Sequence, residues 1–130
     1  FNLLKTFVPE WEINKFGKFI GLTTLYTEQF KSELLGYITG KNALNGFVKA
    51  AAFELAPKGI RLNLVSPGMV DTPLIADVPE KTRLLSAAQT PLRSLASPYD
   101  VASVITFLAS DNSNYLTGET IRVNGGQFML

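Results

Sequence analysis

Three short β-rich runs, each parted from the next by a stretch long enough to hold a helix, constrain this chain more than any other feature. They fall at residues 18–24, 60–65 and 119–123. The middle run, Ile60-Arg61-Leu62-Asn63-Leu64-Val65, alternates apolar and polar side chains over most of its length, which is the period of a strand. Two strands joined through a helix need a crossover, and a crossover brings the second strand back parallel to the first. The order of segments therefore predicts an α/β fold in which helices pack on a parallel sheet.

The intervening stretches read as helices where apolar residues recur at three and four. Residues 2–13 carry Leu3, Leu4, Phe7, Val8 and Trp11 on one face, and Gly17 is expected to close this helix. No capping residue precedes Asn2, so the chain is expected to start inside a helix. Residues 25–35 read as irregular and polar. A long helix over 37–56 has the stripe Leu44, Phe47, Val48, Ala51 and Leu55, and Pro57-Lys58-Gly59 stops it. Ser66-Pro67-Gly68 is expected to break the second strand sharply. Residues 72–96, with Pro73, Pro79 and Pro91, show no periodicity and read as a long loop, a form that lids and binding loops often take. Ser97, Pro98 and Asp100 open a helix reaching about Ser110: a hydroxyl to cap, a proline without the orphaned N–H, and an acid at the positive end. A turn over 111–114 leads to the last strand, which Gly125-Gly126 ends.

The 130 residues amount to one small domain, and a 46% hydrophobic and 18% charged composition suits a folded core. Twelve basic against 11 acidic residues leave a net charge of +1, with no excess to attract nucleic acid or an anionic membrane. The absence of Cys and His excludes disulfides, thiolate nucleophiles, Cys/His zinc sites and imidazole triads, and no metal is expected. No apolar run reaches the length of about 18 residues that spans a bilayer, and residues 1–11 lack the features of a signal peptide. The expectation is a cytoplasmic protein.

Chemistry concentrates at one edge of the predicted sheet. Tyr37 and Lys41 lie four apart on a helix, so they share a face with Cβ atoms roughly 6 Å apart. A cation beside a phenol favours its ionised form, and a phenol so placed can serve as a general acid or base. Alone, the spacing equally describes a half-buried Tyr beside a surface Lys. Thr23-Thr24 ends the first strand on the carboxyl side of the sheet, where α/β ligand sites form. A hydroxyl there can bind a substrate carbonyl, or the pair can simply be β-branched strand residues. Ser66-Pro67-Gly68-Met69-Val70-Asp71-Thr72 follows the second strand at the same edge. Gly68 permits close backbone approach to a flat ligand and Thr72 offers a hydroxyl, though an ordinary turn would look the same.

Together with Phe53-Glu54-Leu55-Ala56-Pro57-Lys58-Gly59-Ile60-Arg61-Leu62-Asn63, Phe107-Leu108-Ala109-Ser110 and the ending Tyr115-Leu116-Thr117-Gly118-Glu119-Thr120-Ile121-Arg122-Val123-Asn124-Gly125-Gly126, these residues resemble the short-chain dehydrogenase/reductase family over essentially the whole chain. The ending looks most like that of the 3-oxoacyl-[acyl-carrier-protein] reductases. Enoyl reductases of the same superfamily set Tyr and Lys further apart than the three intervening residues here, which favours carbonyl/alcohol chemistry. The resemblance implies an NADP- or NAD-dependent hydride transfer with Tyr37 as general acid/base. Lys41 would favour ionisation of Tyr37 and bind the nicotinamide ribose. Thr24 would stand where the family usually has Ser, its added methyl putting orientation of the hydroxyl in question. Pro67, Gly68 and Val70, with the Thr72 side chain, would hold the carboxamide. Residues 72–96 would form the substrate lid.

None of the ten glycines falls in a Gly-x-Gly-x-x-Gly segment, the family's cradle for the cofactor pyrophosphate. Residues 1–130 are therefore expected to be a single partial domain: the C-terminal, catalytic half of a Rossmann-type doubly wound sheet with helices on both faces, lacking the N-terminal dinucleotide-binding half. The isolated chain is expected to be inactive. Expected partners are a small-molecule carbonyl or alcohol substrate, with a carrier-bound thioester as one candidate, and either a homo-dimer or homo-tetramer or a separate N-terminal half. Pairing through helices 2–13 and 37–56 would bury some of Phe7, Trp11, Phe47 and Phe53. The competing reading is a non-catalytic half domain kept as an assembly module, which Thr24 and the missing pyrophosphate cradle favour.

Overall fold

Seven regular elements follow one another along residues 1–129, the residues that the computed structural model describes. They are α1 (Asn2–Asn14), β1 (Gly17–Leu22), α2 (Leu35–Leu55), β2 (Ile60–Pro67), α3 (Glu80–Gln89), α4 (Pro98–Ala109) and β3 (Thr120–Val123). The strands form one parallel sheet in the order β1-β2-β3, with Gly17 opposite Ile60 and Leu64 opposite Thr120. The expected parallel α/β arrangement is thus present, with helices on both faces.

Strand periodicity divides the core in two. Ile60, Leu62 and Leu64 have no exposed surface and pack with Leu4 of α1 and Val48, Ala52 and Leu55 of α2. Val65 points the other way, against Val101 and Leu108 of α4. Asn63 and Arg61 lie on that second face too, and each is used. Buried Asn63 donates to Leu116 O (2.9 Å) and accepts from the Glu119 N–H (3.0 Å). Arg61 donates to Leu116 O (2.9 Å) and Leu108 O (3.2 Å). These bonds fasten the approach to β3 onto β2, and a buried polar group left unpaired there would cost about 1–3 kcal/mol.

Four local expectations need correction. Gly17 does not close α1: Lys15 does, in the left-handed conformation (φ 49°), while Gly17 begins β1. The glycine is required for space, because a Cβ there would lie 2.5 Å from the Trp11 ring. Thr23 and Thr24 lie just past β1, which ends at Leu22. Thr24 instead caps a 3-10 turn, Leu25–Thr27, so the 25–35 segment opens with an ordered turn and a buried Leu25. The second strand is not broken at Ser66, since β2 runs through Pro67. Finally, residues 72–96 are no plain loop. They hold a 3-10 turn, Pro73–Ile75, and the ten-residue α3. No residue of α3 is buried, so no apolar stripe marked it in the sequence.

A bidentate ion pair joins Arg122 of β3 to Glu28 beyond the Thr24 turn, with Nε donating to Oε2 at 2.7 Å and a second bond from Nη2 to Oε1. The Glu28 carboxylate raises the Arg122 pKa above its already high value. Lys58 is raised in the same sense by its bond to Glu12 (2.6 Å). No helix of the described residues is long and apolar enough to cross a membrane.

The start of α4 matches its sequence signature. The Ser97 hydroxyl accepts from the Asp100 N–H (3.3 Å), and the Asp100 carboxylate accepts from both the Ser97 hydroxyl and its N–H (each 2.7 Å). The Ser97 hydroxyl, then its backbone N–H, hold the Asp100 carboxyl below the usual carboxylate pKa. A depressed carboxylate stabilises the fold above its unfolded pKa of about 4, and that contribution disappears as pH falls through the folded value. Asp111 follows the same rule, lowered by the Lys18 ammonium that bonds it at 2.8 Å. Asp100→Asn should therefore flatten the fall in melting temperature on acidification below about pH 4. Ser97→Ala should cost about 1 kcal/mol near neutral pH by urea denaturation.

Candidate active site

The carboxyl ends of β1 and β2 open onto a cavity of about 430 Å³. Parallel strands leave this edge free because each must hand the chain to a crossover there. Every residue that the sequence singled out lines the cavity: Thr24, Tyr37, Lys41, Pro67, Gly68, Val70 and Thr72. Leu25, Leu34, Leu74, Ile75 and Val78 supply an apolar wall. A larger cavity of about 620 Å³ adjoins it, sharing Gly68, Met69 and Gln127, but contains neither Tyr37 nor Lys41.

Tyr37 and Lys41 sit one turn apart near the start of α2, and the Lys41 ammonium lies 5.8 Å from the centre of the Tyr37 ring. That ammonium donates to Leu22 O at 2.9 Å, so the end of β1 holds the lysine in place beside the phenol. Tyr37 is 48% exposed and lines the cavity. Thr24 is buried, and its Oγ1 accepts a long bond from the Tyr26 N–H (3.4 Å). Accepting that bond leaves the hydroxyl proton of Thr24 free to be donated elsewhere.

The turn after β2 is built into the sheet rather than hanging from it. The Gly68 N–H donates to Val123 O (3.0 Å), and a Cβ on Gly68 would lie 3.2 Å from Asn124 Cα and 3.0 Å from Gln127 Oε1. Val70 and Ala96 form an isolated parallel bridge, with the Asp71 N–H donating to Ala96 O (2.9 Å) and the Ala96 N–H to Met69 O (3.2 Å). Residues 72–96 leave and return through this hydrogen-bonded neck and are tied again where the Leu92 N–H donates to Gly125 O (3.2 Å), with Leu74, Ile75 and Val78 lining the cavity. The Thr72 hydroxyl has only a 3.5 Å approach to Val70 O.

Residues 1–127 match the family model described as Enoyl-(Acyl carrier protein) reductase. The chain is 35% identical over 126 residues to 3-oxoacyl-[acyl-carrier-protein] reductase from Thermotoga maritima, covering 97% of this chain and 51% of that protein. A crystal structure from Brucella melitensis described as a short-chain dehydrogenase/reductase, glucose/ribitol dehydrogenase, shares 37% identity at a TM-score of 0.82, covering 87% of this chain and 46% of that one. A 3-oxoacyl-[acyl-carrier protein] reductase with bound NAD from the same organism superposes at a TM-score of 0.90 with 28% identity, covering 99% and 47%. This chain belongs to the short-chain dehydrogenase/reductase family. It spans about half the length of the relatives it matches.

Thr23, read in the sequence as one of a hydroxyl pair, also lines the cavity of this family member, as does Gln127, which the sequence did not single out. Thr23 is buried, and its Oγ1 has no hydrogen-bond partner. Gln127 reaches both cavities because Gly125 (φ 60°) and Gly126 (φ 84°) turn the chain back after β3. Asn124 locks that turn, accepting from the Gly126 N–H (3.0 Å) and donating to Phe128 O (2.9 Å). The Asn124-Gly125-Gly126 string was the available signal. Because backbone and not merely a side chain stands against Gly68, Gly68→Ala should lower stability by about 1–3 kcal/mol, measured by chemical denaturation.

Proposed function

We propose that this chain supplies the catalytic half of an NAD- or NADP-dependent oxidoreductase that interconverts a carbonyl and an alcohol, with a 3-oxoacyl thioester as the substrate. The observation that carries the reading is the meeting of Tyr37, Lys41, Thr24 and the 67–72 turn on one cavity. The names of the most similar relatives support the substrate class, and the Tyr-x-x-x-Lys spacing favours a carbonyl over an enoyl substrate.

The donor set fits a nicotinamide ribose and carboxamide: an ammonium and a phenol one turn apart, a threonine hydroxyl with only one long bond, and a glycine turn at the cavity wall. When bound, a nicotinamide dinucleotide supplies or accepts the hydride. Lys41 and Tyr37 would hold the ribose, and Pro67, Gly68, Val70 and Thr72 the carboxamide. In the reducing direction the Tyr37 hydroxyl gives its proton to the substrate carbonyl oxygen, and the Thr24 hydroxyl donates a hydrogen bond to the same oxygen. Lys41, anchored on Leu22 O, stabilises the phenolate left behind. Residues 72–96 act as the substrate lid over this cavity. The pyrophosphate cradle must come from outside these 130 residues, so the chain alone is inferred to be inactive.

We also infer that α1 and α2 pair with the same helices of a second copy, giving a homo-dimer or homo-tetramer. Of the four aromatics that could mediate this, Trp11 and Phe47 pack against the core, Phe7 stacks on Trp11, and Phe53 is 88% exposed. Phe53 is thus the side chain to test. Phe53→Asp should shift the sedimentation coefficient to a smaller species, because a carboxylate is costly to bury in such a contact. An unchanged assembly would remove α2 from the interface.

Catalysis is tested by Tyr37→Phe in the protein as its gene encodes it. The variant keeps the ring and loses the transferable proton, so turnover of an acetoacetyl thioester with NADH or NADPH should fall about 100- to 10,000-fold. Turnover within about threefold of the parent would take Tyr37 out of the chemistry and favour the non-catalytic module.

A further inference from the structure

Lys31 and Lys41 are the charged residues on the wall of the Tyr37 cavity, and no carboxylate lines it. Their situations differ. The Lys41 ammonium is committed to Leu22 O and stands by Tyr37. The Lys31 ammonium lies 5.7 Å from the centre of the Tyr26 ring. The ion pairs among the described residues use Lys18, Lys58 and Arg122, so Lys31 enters none of them. The nearest acids along the chain form no ion pair with it: Glu28 is taken by Arg122, and Glu33 borders a neighbouring open groove that Lys31 also borders. The cavity thus combines an uncompensated cation with an apolar wall of Leu74, Ile75 and Val78. Lys31 is exposed at the rim of the cavity, where an unpaired cation still attracts an anion.

Resting on the carbonyl-reductase reading, we infer that Lys31 is a specificity residue that binds a phosphate carried by the thioester substrate. The substrate is then amphipathic: its apolar chain lies on Leu74, Ile75 and Val78 while its anion meets Lys31. Lys31 acts on binding and takes no part in the proton transfer.

The test compares two acetoacetyl thioesters in the protein as its gene encodes it: the coenzyme A thioester, which carries phosphates, and the neutral N-acetylcysteamine thioester. In Lys31→Met, the KM for the coenzyme A thioester should rise about two- to fivefold relative to that for the neutral one, the scale of a single partly exposed ion pair. Added salt should shrink the parent's preference, and Lys31→Arg should preserve it. Equal changes for both thioesters would overturn the inference. A rise confined to the cofactor KM would also overturn it, by assigning Lys31 to a cofactor phosphate. Calorimetric titration with the non-reducible butyryl thioesters of the same two carriers separates this inference from the function it rests on. A Lys31-dependent preference without turnover keeps the anion site and overturns the reductase reading. Turnover without that preference does the reverse.

Discussion

Everything in this fold depends on β2 being covered on both faces and paired on both edges. Ile60, Leu62 and Leu64 need α1 and α2, Val65 needs α4, and the backbone needs β1 on one side and β3 on the other. A strand so enclosed can carry polar side chains only if each is satisfied. Asn63 and Arg61 meet that condition by binding the chain that leads into β3. The apolar side chains of β2 thus recruit the helices, and its polar side chains recruit the chain that leads into β3.

The site inherits its precision from that strand. Because β1 and β2 run parallel and in register from Gly17–Ile60 to Leu22–Val65, their carboxyl ends emerge side by side. Leu22 O then lies where the Lys41 ammonium can reach it, and Gly68 lies where its N–H can reach Val123 O. The Arg122–Glu28 pair ties β3 back to the Thr24 turn. Each wall of the cavity is thus fixed to a different strand, and the strands are fixed to one another.

What the sequence made legible follows from which signals are local. The Ser97-Pro98-Tyr99-Asp100 start of α4 could be read because a cap is a contact between residues three apart. The strand alternation at Ile60–Val65 could be read because one face is apolar. Gly17 was misread because its reason is the Trp11 ring packed against it, not backbone handedness. The helix α3 was invisible because none of its residues is fully buried, so no apolar stripe was written into its sequence. Tyr37 and Lys41 were legible as a pair, but their tie to Leu22 O depends on the sheet and is absent from any local window. Gln127 reaches the cavity through a glycine turn after β3, which no spacing rule anticipates.

The cations of the chain divide by what holds them. Lys18 binds Ala109 O and Asp111, Arg61 binds two backbone carbonyls, and Arg122 binds Glu28. Lys41 is held by Leu22 O. Altering any of these disturbs a strand, a helix end or the phenol's neighbour. Lys31 and the 74–78 wall carry no such duty: the lysine stands outside the ion pairs, and the wall belongs to a segment attached through the Val70–Ala96 neck. Substitutions there leave the ion pairs and hydrogen bonds that hold the sheet untouched. Those at Tyr37, Lys41 or Gly68 strike groups that the strands themselves hold in place.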